Sequence, residues 1–123
     1  INRQPGSGTR ILFDFSLKEN GLSGADVLGY ENEEYTHLSV AVAVLSGRAK
    51  AGLGIKAAAL ALNLDFLPVV TESYDLVIPE VYYNLPQVQA LVGTIQSAQF
   101  KQRVMALGGY EVEKTGQELF RSV

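Results

Sequence analysis

Cysteine is absent from this 123-residue sequence, and histidine occurs once. Without thiols there is no disulfide, no thiolate metal site and no cysteine nucleophile. A zinc or iron centre would have to be assembled around a single imidazole, which the usual ligand sets disfavour. Long apolar runs are missing too. The longest, Ala57 to Leu64, is interrupted by Asn63 and falls well short of the roughly 20 residues that span a bilayer. Positive charge is sparse: 10 Lys and Arg stand against 13 Asp and Glu, for a net charge of −3 and no basic stripe. That argues against direct nucleic-acid contact and against a membrane surface, both of which need clustered Lys and Arg. It leaves small anions open, because backbone N–H groups bind them with little net positive charge. No signal peptide is visible, and a cytoplasmic location is the expectation. The chain opens on Ile1 rather than Met and reads as already inside a strand, so a piece of a longer protein is expected.

What is present is material for one domain. Hydrophobic residues make up 47% of the chain, and a chain of this size can bury roughly two-thirds of its unfolded surface. Ile1 and Asn2 read as the end of an extended segment. Pro5, Gly6 and Gly8 make a tight loop, and Thr9 is placed to cap a helix carrying Ile11, Leu12 and Phe15, stopped by Asn20-Gly21. Asp26–Tyr30 reads as a short strand, followed by an acidic loop at Glu31–Glu34. Thr36 caps the next helix, His37 to Leu45. Its Val content suggests a strand, but Leu38, Val42 and Leu45 are spaced for one helical face, and Ser46-Gly47 ends it. Ala51–Gly54 is a short strand or turn, and Ala57 to Leu64 a small-residue helix. Phe66–Val70 and Tyr74–Ile78 have the clearest strand pattern. From Pro86 the chain turns helical, with Val88, Val92 and Ile95 in one stripe. A further helix, Ala98 to Leu107, aligns Phe100, Val104 and Leu107 before Gly108-Gly109. Glu111 to Val123 has room for an amphipathic turn or two. There is no internal repeat. Alternating strands and helices point to an α/β fold with a mixed, mainly parallel sheet.

The stretch Arg3-Gln4-Pro5-Gly6-Ser7-Gly8-Thr9-Arg10 carries the most chemistry. Glycines before a helix let several backbone N–H groups converge on a ligand, and the helix dipole adds positive potential. Ser7 and Thr9 supply hydroxyls. Arg3 or Arg10 offers a planar bidentate donor for an oxyanion. An ordinary capped helix after a tight turn explains the same residues, and both readings stay open. The stretch is not a phosphate-binding P-loop, since no Lys follows in place, nor a dinucleotide fingerprint, since Ile11 stands where the third Gly belongs. Gly52-Leu53-Gly54-Ile55-Lys56-Ala57 fits a looser dinucleotide form. Arg48 and Lys50 spoil the preceding strand, however, and close packing of strand on helix is the preferred reading.

His37 lies in the first turn of its helix, where a proton would oppose the dipole; a neutral imidazole donating a hydrogen bond is expected. A Ser7–His37–Asp triad lacks the nucleophile elbow. Glu31, Glu33 and Glu34 lack the spacing of a calcium loop and read as solvated. No metal and no cofactor are expected. Six tyrosines offer ring faces at element ends.

Asn2 to Arg10 resembles the helix-opening loop of type 2 periplasmic-binding-protein-like domains. More narrowly, it is similar to the domain attached to MoeA-type molybdopterin biosynthesis proteins and to ModE- or LysR-like regulators. Further matching blocks are Gly29-Tyr30-Glu31 with Glu33-Glu34-Tyr35-Thr36-His37, then Ser46-Gly47-Arg48-Ala49 with Gly52-Leu53-Gly54-Ile55, then Tyr74–Pro79. Val88–Ile95, Phe100 and Gly108-Gly109-Tyr110 complete the resemblance.

The resemblance implies a three-layer αβα lobe of a hinged receptor. The second lobe would occupy about residues 1–78 and C-terminal helices about 86–123, with part of the first lobe missing. It implies a small anionic ligand, such as molybdate, tungstate or a molybdopterin-like molecule, and no catalysis within the chain. Ser7, Gly8 and Thr9 would meet the ligand at one helix start, Thr36 and His37 at a second. Arg3 and Arg10 would add charge, and Tyr74 would border the cleft. Arg10 has a structural alternative, pairing with an acidic residue such as Glu34. Fusion to a MoeA-type or winged-helix domain, and a homodimer through apolar surface left bare, are the partner expectations. The alternative function is an accessory domain of a molybdopterin biosynthesis enzyme whose chemistry lies elsewhere.

Overall fold

A computed structural model describes residues 1–120 as a mixed α/β chain with a small parallel sheet and six α-helices. The chain divides into two compact units, Ile1–Leu67 and Pro68–Val123.

The first unit opens with β1 (Asn2–Arg3), which pairs in parallel with β2 (Glu33–Glu34), Asn2 opposite Glu33 and Arg3 opposite Glu34. Helix α1 (Gly8–Glu19) follows β1, and α2 (His37–Leu45) follows β2. A short α3 (Lys56–Ala61) lies against α2. The core is made of small and branched side chains: Leu17 from α1, Val40, Ala41 and Ala43 from α2, Ala58 and Ala59 from α3.

Capping explains the helix boundaries. Ser7, in extended conformation, accepts a hydrogen bond from the Arg10 N–H at 3.2 Å, so the cap of α1 is Ser7 and not Thr9, which lies in the first turn. Thr36 accepts from the Ser39 N–H at 3.0 Å, and α2 runs over His37 to Leu45 as its spacing predicts. Gly21, at a φ of +70°, ends α1: its N–H reaches the Lys18 carbonyl and the Leu22 N–H the Leu17 carbonyl.

The buried face of α2 differs from expectation. Leu38, Val42 and Leu45 are exposed, and Val40 (3% exposed) lies in the core instead. The helix is apolar on every side, so its pattern cannot select a face; the small residues decide, because they let α3 approach. Asp26–Tyr30 is not a strand. A 3₁₀ turn at Gly24–Asp26 leads into further turns that fold the Tyr30 ring over Gly24, where a Cβ would lie 2.5 Å from it. The second strand lies instead in the acidic stretch, at Glu33–Glu34.

Residues 66–70 and 74–78 form no strand among the described residues. A strand needs a ladder partner, and β1 with β2 is the one ladder described. Pro68, inside the first of these segments, also lacks the N–H a ladder uses.

In the second unit Pro79 precedes a single helical turn, α4 (Glu80–Tyr83). Helix α5 (Pro86–Gln96) has proline in its first turn, where no N–H is needed. Ser97 caps α6 (Ala98–Leu107), and the two helices contact each other. Val88, Val92, Ile95, Phe100 and Val104 are all half-buried, as their stripes predict, whereas Leu107 is exposed. Gly108 ends α6 at a φ of +73°. Beyond it the chain makes a turn near Lys114, where the Gln96 side chain reaches the Gly116 carbonyl. Residues 121–123 of the expected amphipathic tail lie outside the described residues.

Gly52 gives a direct check on the packing of the first unit. A Cβ there would lie 2.5 Å from the branched side chains of both Ile1 and Val40. Gly52→Ala is expected to lower stability by about 1–3 kcal/mol, the usual cost of overpacking, read from urea denaturation; unchanged stability would contradict the close approach. The turn gives a second check. The Ser23 hydroxyl and backbone N–H hold the exposed Asp26 carboxyl below the usual carboxylate range. That contribution to stability is present above the ordinary carboxylate pKa and lost as pH falls through the lowered one. Carbon-13 titration of Ser23→Ala should show the Asp26 midpoint moving back up.

Candidate functional site

Both strands of the parallel pair deliver the chain, at their carboxyl ends, into a loop and then a helix. Gln4–Ser7 connects β1 to α1, and Tyr35-Thr36 connects β2 to α2. Two neighbouring helix N-termini therefore open from the same edge of the sheet. This is the edge where open α/β sheets bind ligands, and each terminus presents N–H groups without helical acceptors. Ser7, Gly8 and Thr9 lie at the first terminus, Thr36 and His37 at the second. The parallel register places both helix starts after the carboxyl ends of the paired strands.

Arg3, 8% exposed, spans the edge from beneath. Its Nη1 donates to His37 Nδ1 at 3.0 Å and its Nη2 to the Tyr35 carbonyl at 3.0 Å. Its Nε donates to Gln4 Oε1 and to the Glu34 carbonyl, at 3.1 and 3.2 Å. A guanidinium has donors only, so His37 Nδ1 accepts; the imidazole is neutral and carries its proton on Nε2. None of these acceptors is a carboxylate, and among the described residues no carboxylate pairs with Arg3.

Arg10 has the opposite surroundings. It donates through Nε to both Asp14 oxygens, at 3.1 and 3.2 Å, and through Nη1 to Glu33 at 2.9 Å and the Arg3 carbonyl at 3.1 Å. The Tyr30 ring lies 4.1 Å from its guanidinium carbon, and the Tyr30 hydroxyl donates to Asp14 at 2.7 Å. Burial works against the charge, but Tyr30, Glu33 and Asp14 outweigh it and hold the group protonated well above its ordinary pKa. Arg10 thus has the structural pairing foreseen as an alternative, with Glu33 and Asp14 as partners. Glu34 is taken by Arg48 instead, at 2.7 Å. The acidic stretch is therefore part of an internal charge network rather than a wholly solvated loop.

His37 also lines a groove of about 370 Å³ between α2 and α3. Its walls are largely Val40, Val44, Ile55 and Ala58, with Lys50 and Asp65 as charged members. Gly54 closes on the imidazole: a Cβ there would stand 3.8 Å from Nδ1. The sequence pattern of Gly52–Gly54 points to packing alone. The close approach of Gly52 to Ile1 and Val40 fits that, but the proximity of Gly54 to His37 has no separate signal in the sequence. Tyr74 belongs to the second unit and is 88% exposed. Among the described residues no group of three or more His, Asp or Glu is placed to hold a metal ion, and no helix is long and apolar enough to cross a membrane.

A parallel strand pair, each strand leading into a helix N-terminus at its carboxyl end, with a buried cation beside them, marks the first unit as an α/β domain. Its particular family follows from comparison: the chain belongs to the PBP superfamily, whose domain model matches residues 1–96. It is 36% identical over 122 residues to the uncharacterized protein YvgK of Bacillus subtilis (strain 168), covering 99% of this chain and 39% of that protein. It is also 36% identical over 107 residues to an uncharacterized protein in the ferredoxin 2Fe-2S gene 5′ region of Clostridium pasteurianum, covering 86% of this chain and 95% of that one. The chain thus spans well under half of the Bacillus relative and nearly all of the Clostridium one. No solved structure matches.

The Arg10 network is expected to be a main support of the first unit. Arg10→Ala should cost about 2–3 kcal/mol, less than the penalty for breaking a wholly buried pair because Asp14 is half-exposed. Urea denaturation checks this, and a cost near zero would remove Arg10 from its structural role.

Proposed function

We propose that this chain is a non-catalytic binding domain for a small oxyanion of the molybdate or tungstate kind. The observation that carries the reading is the state of Arg3. This buried guanidinium is hydrogen-bonded to neutral acceptors alone, and no carboxylate pairs with it directly among the described residues. It lies beside two helix N-termini that already favour an anion. Backbone N–H groups from Gly8 and Thr9, the hydroxyls of Thr9 and Thr36, and the His37 imidazole are the direct donors in this reading. Arg10 adds no positive charge, since its one charge is outnumbered by the two carboxylates of Asp14 and Glu33.

The same geometry argues against chemistry at this edge. With Nδ1 engaged by Arg3 and the proton on Nε2, the one histidine is not arranged as a general base. The resemblance to domains of molybdopterin biosynthesis proteins and molybdate regulators supplies the physiological setting proposed: molybdenum cofactor biosynthesis or molybdate-responsive regulation. A three-layer αβα lobe is the fuller architecture proposed with it.

Thermal melts of this chain with molybdate, tungstate, sulfate and phosphate test the reading. A ligand at 100 times its Kd adds about 2.7 kcal/mol of stability, so molybdate or tungstate should raise the melting temperature clearly. Thr9→Val should weaken binding by about 1–2 kcal/mol, the worth of a hydrogen bond to a charged group. If none of the four anions shifts the melt, the oxyanion reading is wrong.

A further inference from the structure

We propose that Arg3 is a positioning residue that acts on the bound anion through His37 and through its charge, without contacting the anion itself. The ligand part of this rests on the oxyanion reading above; the Arg3–His37 part does not. Each guanidinium nitrogen is directed at an acceptor inside the protein: Nε at Gln4 Oε1 and the Glu34 carbonyl, Nη1 at His37 Nδ1, Nη2 at the Tyr35 carbonyl. The Glu34 and Tyr35 carbonyls belong to the connection that leads into α2, so one planar group fixes both the backbone entering the helix and the ring at its first residue.

The consequence for His37 is a fixed tautomer. Nδ1 is engaged by the guanidinium, and a Cβ on Gly54 would stand in ordinary contact with it at 3.8 Å. Protonating Nδ1 would set two donors against each other, so the bond holds the ring neutral with hydrogen on Nε2, on the far side of the ring from Arg3. A donor of fixed identity at a helix N-terminus suits an oxyanion, which has acceptors only. An imidazole free to change tautomer would present a lone pair to the anion part of the time. Lysine at position 3 keeps the charge but has one nitrogen, and cannot reproduce a fork that spans the ring and the two carbonyls.

Long-range proton–nitrogen correlation spectra of the nitrogen-15-labelled chain test the first part, since the sequence has one histidine and gives one imidazole. The expected spectrum has Nδ1 unprotonated and Nε2 protonated, with Arg3→Lys showing a mixture of tautomers. Protonated Nδ1 in the parent chain overturns the proposal. Titration calorimetry with molybdate tests the second part on Arg3→Lys, His37→Ala and the double variant. Each single change is expected to weaken binding by about tenfold, the scale of one hydrogen bond to a charged group, and the double variant to bind no more weakly than His37→Ala. If the two losses multiply, Arg3 contacts the anion directly and the proposal is overturned. If the parent chain has no affinity for molybdate, the oxyanion reading and the ligand part fall together, while the spectrum still decides whether Arg3 fixes the ring.

Discussion

The first unit depends on two guanidinium groups doing what its sheet is too short to do. A parallel pair of two residues on each strand makes few ladder hydrogen bonds, and isolated short strand pairs are marginal in water. Arg10 reaches from α1 to the Arg3 carbonyl on β1 and the Glu33 carboxylate on β2. Arg3 reaches from β1 to the Glu34 carbonyl on β2 and on to the start of α2. The parallel register thus becomes a cross-linked unit, and the register is what brings two helix N-termini to one edge. Neither group could be replaced by lysine without losing links, because one ammonium nitrogen cannot span acceptors that separate nitrogens of a planar guanidinium reach.

The two arginines divide the electrostatic work. Arg10 is surrounded by carboxylates and a ring face, which suits a structural cation. Arg3 is surrounded by carbonyls, an amide and an imidazole, which hold its shape but leave its charge. Glu34, opposite Arg3 in the strand register, pairs with Arg48 and not with Arg3.

Much of this architecture is legible in the sequence through local rules. Helices α2, α5 and α6 follow from caps, proline at a first turn and stop signals, all of which act within a few residues. Ser7, Gly8 and Thr9 stand at one helix start and Thr36 and His37 at another, as their capping residues suggest. What escapes such rules is non-local. Residues 66–70 and 74–78 have strand composition, but strand is a property of a pair. The buried face of α2 is set by the Ala residues of α3, which no pattern within α2 encodes. The strand at Glu33–Glu34 is hidden because two glutamates look solvated until the arginines that receive them are placed.

The same distinction explains why sequence alone offers a structural alternative for Arg10 but cannot name the partners of either arginine. Both flank the same loop, both are buried, and both have the same side chain. Their difference lies in partners 31 to 34 residues away for Arg3 and in Asp14 and Glu33 for Arg10. A buried cation ringed by anions stabilises a fold and offers little to a ligand. A buried cation ringed by neutral dipoles keeps its field, and in a partly desolvated edge that field is weakly screened.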